Sequence, residues 1–552
     1  MDFRVRDLKF GTVQGVDGSQ VIVRAEVLQK RIGGNPIHIE VGSFVNCGSE
    51  YHGDTICIVT RVHIEEVEKR NGDTQKNQIV ELAIVGSLNI ETRFTRGIDQ
   101  LPYVGSEVYL ITGEQMNHLL GIVESPQAET LPQKYFRVGR RSMRGAGDVY
   151  LDLDKFLGRH VAIVGTTGSG KSSTVAQIAQ SILRYYPYPR IVFFDIHNEY
   201  PNAFSGEWGP KANCVSWNDF KLPYWFLDLD EFISIYYPDA GGTQKMHLKD
   251  MIEELKRNSV EGAGVQERVS VDSPIYFSIE ELITKIEGRR NEQNSASKRE
   301  PFDKMLLKIQ SKHGDSRFEF LKGNPANILT LEQYFISLLG LNPSGPTYVS
   351  VLDLSGLPAE IRTVCVGILT RLFFDYKYWD MDPENLPLAL VLEEAHTYIP
   401  EDNSSTYSLC LDRVEKVAKE GRKYGLSLIV VTQRPSNVSS TVLSQCGTFI
   451  TLRLTNDLDQ NKIKRLLPDS LGEQANVLST LRDGEALVTG DAMVLPGKVR
   501  FDEPAPRPKS NDVQFHKSWT EGPPVGYDVK IITEAWNIRE KRQVVGVEEN
   551  EN

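Results

Sequence analysis

The sequence predicts an α/β chain: a mostly parallel sheet with helices on both faces, preceded by a small N-terminal β-barrel and interrupted by a helical-bundle insertion. Three observations predict it. Residues 1–125 alternate apolar and polar side chains in short runs separated by Gly and Asp-Gly turns, the period-2 pattern of half-buried strands. From residue 135 the rhythm changes to compact apolar runs, each followed by a helix-compatible stretch, as a parallel sheet demands. Between the second and third of those runs lies a charged, helix-rich block over residues 220–340.

The barrel strands are read at Thr12–Val16, Val21–Val27 and Thr55–Val62, and the stretch from Ser125 to Gln133 reads as the connector. Core strands are read at Val161–Val164, Ile191–Asp195, Tyr348–Asp353, Leu388–Glu393, Leu426–Val431 and Phe449–Leu454. The resulting division is barrel 1–125, core 135–219, insertion 220–340, core 341–495, and a C-terminal segment 496–552. Within the insertion, Arg289–Glu300 is polar enough to be expected as a mobile loop. The acidic tail from Val547 is expected to be a solvated terminus.

Composition narrows the class. With 552 residues the chain has material for about two to four self-sufficient cores. Its 6 cysteines include no C-x-x-C pair and no zinc-type cluster, so they are expected to be reduced thiols of a cytoplasmic protein. No run approaches the ~18 apolar residues of a membrane helix, and the first residues carry no apolar leader core. The net charge of −12 argues against a surface that is basic all round, yet allows a basic channel.

Chemistry concentrates at Gly165–Ser173, which fits G-x-x-x-x-G-K-[ST] between an apolar strand and a helix. Gly165, Gly168 and Gly170 let the backbone curl so that its N–H groups converge on phosphates, with Thr166, Thr167 and Ser169 completing the loop. Lys171 supplies a mobile positive charge, and the Ser172 hydroxyl, followed by Ser173, is placed for Mg²⁺. The helix beginning there aims its positive end at the anion. ATP and Mg²⁺ are the ligands this loop implies.

Four segments extend that reading. The strand from Leu388 ends in Glu393 and Glu394, suited respectively to holding Mg²⁺ and to activating a water. Asp-Glu is the commoner pair, and the longer Glu393 arm leaves metal geometry less defined than water activation. Asp195 and Glu199 follow the second core strand and emerge at the carboxyl edge where ligands bind in such sheets, while His197 between them reads as structural. Gln433, just past another strand, is either a γ-phosphate sensor or the cap of a turn before Pro435. Arg422 is either a salt-bridged surface residue or, in a ring, an arginine finger for the neighbouring subunit.

In their order along the chain, Gly158–Ser173, Asp195–Tyr200, Val351–Pro358, Glu393–His396, Glu420–Gly425 and Thr432–Pro435 resemble the HerA branch of the HerA/FtsK P-loop ATPases. The resemblance covers residues 1 to about 520 and implies a RecA-like core in a homohexameric ring that threads double-stranded DNA. It implies Lys171 and Ser172 as nucleotide and metal ligands, Glu394 as base and Arg422 as the trans arginine. Arg159 matches a family arginine at the nucleotide site. Residues Pro496–Phe501 and Pro504–Ser510 resemble the family's C-terminal segment.

The resemblance further implies a partner docked on the barrel, either a nuclease or an antiphage effector such as a sirtuin-like NADase. The chain itself carries neither a nuclease carboxylate cluster nor a dinucleotide fingerprint. A hexameric ATPase scaffold that regulates an effector with little DNA movement is the competing function. A protein unfoldase fits less well, because Gln433 directly follows its strand and a barrel precedes the core.

Overall fold

The computed structural model describes residues 8–538 apart from 19, 27–28, 33–34, 50–52, 69–73, 89–93, 98–99, 113–114, 116–133, 143–146, 324–326, 402–406, 468–476, 494, 510–514 and 524–526. The expected connector and acidic tail lie outside the described residues. Two compact units emerge. One comprises Met1–Ile191, Phe373–Ser404 and Leu411–Arg507; the other comprises Val192–Leu372, Ser405–Cys410 and Pro508–Asn552.

The N-terminal strands are β1 (Lys9–Asp17), β2 (Gln20–Ala25), the hairpin β3 (Gln29–Ile32) and β4 (Asn35–His38), β5 (Phe44–Ser49), β6 (Gly53–Glu68), β7 (Thr74–Leu88), β8 (Phe94–Arg96) and β9 (Glu107–Leu110). Hydrogen bonding runs β2-β1-β9-β5-β6-β7 and closes by β2 pairing with β7, giving the expected barrel, of six strands, with β8 added outside β7. Closure removes the exposed sheet edges that would otherwise recruit other chains. Its interior is filled by Val13, Val21, Val23, Val45, Cys47, Cys57, Val59, Val80, Leu82 and Val108.

Alternation fails at Ile56–Val59, where four successive side chains are buried. The cause is a second apolar layer: Phe44, Ile56, Ile58, Ala83 and Ile111 on the outer wall pack with Leu495 from the core. Arg141 stands beside that layer, its guanidinium 5.2 Å from the Phe44 ring and donating to the Leu495 carbonyl. Burial lowers its pKa to about 10, so it remains a cation at neutral pH.

The core strands are β10 (Tyr135–Arg141), β11 (Asp148–Asp152), β12 (His160–Val164), β13 (Ile191–Asp195), β14 (Ala212–Val215), β15 (Val349–Asp353), β16 (Leu388–Leu392), β17 (Leu426–Thr432), β18 (Cys446–Thr451), β19 (Glu485–Gly490) and β20 (Gly497–Phe501). In the first unit β12 lies between β17 and β18, with β16 beyond β17, all parallel. Then β19, β20, β10 and β11 continue the sheet antiparallel. The sheet is therefore mixed, with its antiparallel strands gathered at one end. Every residue of β12, β16 and β17 is buried, which explains why these strands read as unbroken apolar runs.

In the second unit β14 and β15 pair in parallel, and helices Leu229–Tyr236, Gly242–Asn258, Ile279–Asn291 and Ala296–Gly314 pack as a bundle. Asp228 starts the first with a capping box: it accepts from the Glu231 amide, and Glu231 accepts from its own. Glu231 also holds Arg371 at 2.7 Å, so this buried carboxylate has a cationic partner. The expected loop Arg289–Glu300 is instead the bend of a helical hairpin, tied by Arg290 to Asp303 and by Arg299 to the Gln293 carbonyl. Its polarity reflects solvent-facing helix ends rather than absence of structure. Among the described residues no helix is long and apolar enough to cross a membrane.

Candidate nucleotide site

The loop after β12 leaves its strand at Gly165 and enters the helix Lys171–Tyr185 at Gly170. Glycine is required in this loop for two different reasons, crowding and backbone conformation. A Cβ on Gly165 would sit 2.6 Å from Ser169 Oγ and 2.8 Å from Leu452, whereas Gly170 adopts φ 94°, a left-handed conformation that side chains resist. No side chain caps the helix, so its first amides are not taken by a capping oxygen and can face an anion.

The loop's own polar groups divide the work. Thr166 is a staple, its amide and hydroxyl both donating to the Arg453 carbonyl at 2.9 and 3.0 Å. Ser169 is another, donating through Oγ to the Thr166 carbonyl at 2.7 Å. Lys171 lies 3.5 Å from that same carbonyl, a weak contact that a phosphate oxygen can replace. Ser172 and Ser173 occupy the first helical turn and are half-buried. Thr167, at the exposed tip, donates to Gln433 Oε1 at 2.5 Å.

The turn before Pro435 is capped by Thr432, whose Oγ1 accepts from the Arg434 amide at 3.1 Å, leaving Gln433 on the loop. Thr432 also accepts the Gly165 amide at its carbonyl and contacts His396 Nδ1 at 3.3 Å. The end of β17 thus joins the loop to the acidic end of β16.

There Glu393 and Glu394 are buried, at 2% and 8% exposure. Glu394 takes φ 47° and ψ 47°, left-handed for a non-glycine residue, and its carbonyl accepts the Thr397 amide at 2.9 Å. Such a conformation costs about 1–3 kcal/mol and persists only where the surroundings enforce it. Its Oε2 lies 3.2 Å from His396 Nδ1, and the Tyr398 hydroxyl fixes the Glu393 carbonyl at 2.8 Å.

Arg159 and Arg422 are not at this end of their own sheet. Arg159 precedes β12 and pairs with Asp491 at 2.5 Å. Arg422 precedes β17, exposed, with no ion pair or side-chain hydrogen bond among the described residues. A strand rises about 3.3 Å per residue, so β17 separates Arg422 from the Thr167–Gln433 contact by about 20 Å. His160 marks the same edge: its Nδ1 accepts the Leu428 amide, its Nε2 meets the Ala418 carbonyl, and burial keeps its pKa low, with Arg422 adding to the effect.

Residues 136–373 match the family model "Helicase HerA, central domain" and residues 306–499 match "Helicase HerA-like C-terminal". The chain belongs to the HerA family. It is 26% identical over 494 residues to the probable DNA double-strand break repair helicase HerA of Methanocaldococcus jannaschii, covering 84% of this chain and 91% of that one. With the DNA double-strand break repair helicase HerA of Sulfolobus acidocaldarius it shares 27% over 377 residues, 66% and 68% of the two chains. Fainter likenesses among solved structures include VirB4 of Thermoanaerobacter pseudethanolicus, TM-score 0.48, 16% identity, covering 66% of this chain and 96% of that one. Plasmid coupling protein TrwB in complex with ADP and Mg²⁺ has TM-score 0.44 at 13% identity, covering 71% and 92%. HerA membership makes the chain a P-loop ATPase of helicase type.

The remaining sequence candidates of this HerA chain, Asp195 and Glu199, belong to the second unit. Asp195 accepts the His197 and Tyr200 amides at 3.1 and 3.0 Å and so shapes the turn after β13. Glu199 has its carbonyl on the Lys509 amide, and His197 is exposed. Burial pushes the Asp195 pKa up to about 6, against the amide bonds that favour its charge. A raised native value means this group's stabilisation is full below about pH 4 and is lost as pH rises through 6, a swing of about 3 kcal/mol at 1.36 kcal/mol per unit. Asp195→Asn is expected to remove that slope from unfolding curves recorded between pH 4 and 7; an unchanged slope would assign it elsewhere.

Sequence reasoning missed His396, Thr432, Arg453 and Gly484 as parts of the site. Gly484 packs against Gly170, where an added Cβ would lie 3.1 Å from its amide, and that amide donates to the Ser169 carbonyl at 3.1 Å. His396 and Thr432 had a local signal, the one two residues after Glu394 and the other directly before Gln433.

Proposed function

We propose that this chain is a cytoplasmic ring ATPase, hexameric in its working form, that couples ATP hydrolysis to movement along double-stranded DNA. The observation that carries the reading is the split of the site's parts between opposite edges of one sheet. The phosphate loop, Gln433 and Glu394 share one edge, while Arg422 stands exposed at the other. A head-to-tail interface between copies brings such edges together and generates rings.

In this reading the loop amides and Lys171 hold the ATP phosphates, and Ser172 with Glu393 holds Mg²⁺. The metal neutralises phosphate charge when bound. Glu394 takes the proton of the attacking water, and Gln433, through Thr167, registers whether the γ-phosphate is present. Arg422 from the adjacent copy stabilises the transferring phosphoryl group, with Arg159, held by Asp491, assigned a supporting role at the same edge. Asp195 and Glu199 are assigned supporting roles on their own turn. A nuclease or NADase effector, in an antiviral setting, is the partner we assign to the barrel.

The test is hydrolysis measured with and without double-stranded DNA. Stimulation by the duplex is expected, and it should weaken with rising salt because phosphate contacts release counterions. Hydrolysis indifferent to every nucleic acid would favour the effector-regulating scaffold instead.

A further inference from the structure

His396 stands between the acidic end of β16 and the last residue of β17, and the roles assigned above leave it unused. A short turn over Ala395–Thr397 brings it back beside Glu394, whose carbonyl accepts both the amide and the hydroxyl of Thr397 at 2.9 Å. The ring is half-buried. One of its atoms, Nδ1, faces two groups at once: Glu394 Oε2 at 3.2 Å and Thr432 Oγ1 at 3.3 Å.

A neutral imidazole has one N–H and one lone pair, so Nδ1 can serve only one of these neighbours at a time. A carboxylate only accepts. With the proton on Nδ1, the ring donates to Glu394 and ties that carboxylate down. With the proton on Nε2, the Nδ1 lone pair accepts from the Thr432 hydroxyl and repels the carboxylate beside it. Thr432 is ready for that second state, because its Oγ1 already accepts the Arg434 amide at 3.1 Å and keeps its own proton to donate. Nε2 has no hydrogen-bond partner among the described residues and is open to solvent, so water can carry the proton between the two nitrogens with no net change of charge.

We propose that His396 is a positioning residue that sets Glu394: with its proton on Nδ1 it holds the carboxylate, and with its proton on Nε2 it takes the Thr432 hydroxyl and releases Glu394 to the attacking water. Thr432 is the last residue of β17, and Gln433 follows it, touching Thr167 on the phosphate loop at 2.5 Å. A shift of Gln433 on meeting a γ-phosphate is thus passed through one peptide to Thr432 and across to His396. The base is freed when the triphosphate is in place. The inference rests on Glu394 being the base, as proposed above.

The experiment replaces each ring nitrogen separately. Asn carries its amide one bond from Cγ, where Nδ1 stands, and offers that position a donor or an acceptor. Gln carries its amide one bond further out, toward Nε2, and empties the Nδ1 position. Steady-state kcat and KM and the affinity for a fluorescent ATP analogue are read for His396→Asn, His396→Gln, Thr432→Val and the pair His396→Gln/Thr432→Val. His396→Gln and Thr432→Val are each expected to lose about tenfold in kcat, part of the ~10² or more that a positioned base supplies, with analogue affinity unchanged and with His396→Asn close to the parent. The pair should lose no more than the worse single variant, because both break the same contact. A His396→Gln chain at the parental kcat, equal losses in His396→Asn and His396→Gln, losses that multiply in the pair, or a loss of analogue affinity in place of kcat each overturn the relay. Glu394→Gln turning over at the parental rate overturns the base reading itself.

Discussion

Glu394→Gln is expected to stop ATP hydrolysis while leaving nucleotide binding intact, a loss of about 10² to 10⁴ in kcat for removal of a positioned general base. The substitution preserves size and the left-handed turn, because the backbone there is held by the Thr397 amide on the Glu394 carbonyl. What it removes is the carboxylate that stands 3.2 Å from His396. Steady-state hydrolysis alongside binding of a fluorescent ATP analogue checks the result. A variant that turns over at the parental rate would take the base away from Glu394 and leave its backbone strain without a catalytic purpose.

Arg422→Ala is expected to cost about 10³ to 10⁵ in hydrolysis, the range of arginine fingers, and to be rescued by a partner that is itself dead. In rings mixed with Glu394→Gln copies, an Arg422→Ala copy keeps its base and receives an arginine from its neighbour. With equal mixing and independent head-to-tail interfaces, about a quarter of the sites are complete, so activity should return to about that fraction of the parent. Mixed rings with no recovery would place Arg422 outside the neighbouring site. The two variants are alike in effect but complementary in geometry, since one removes a group at the loop edge and the other a group about 20 Å away along β17.

The six central strands and the phosphate loop were legible because their physics is local. A strand buried on both faces must be an apolar run, and a loop that wraps phosphate must place glycine where a side chain collides, as at Gly165, or where φ is positive, as at Gly170. Strands β10, β11, β19 and β20 were not legible. Tyr135–Arg141 carries three arginines among its seven residues, and its partner β20 lies more than 350 residues away, so nothing near it in sequence announces the pairing.

The site divides in the same way. Lys171, Glu394 and Gln433 stand at the ends of readable strands. That Arg159 and Arg422 stand at the beginnings of theirs becomes meaningful only when the strands are known to be parallel. Thr432 and His396 act through contacts between β16 and β17 that no spacing records. Arg289–Glu300 misled for the opposite reason: solvent-facing helix ends are as polar as a loop.

One consequence concerns the hairpin of β19 and β20. At its root Gly484 grips the phosphate loop through the Ser169 carbonyl, and the Phe501 amide clamps the Gly484 carbonyl in turn. At its tip Leu495 is seated in the outer wall of the barrel with Phe44, Ile56 and Ile58. The hairpin therefore spans from the phosphate loop at one end to the barrel wall at the other. Phosphate loop and barrel wall are thus tied to the two ends of one hairpin, although each lies far from it in sequence.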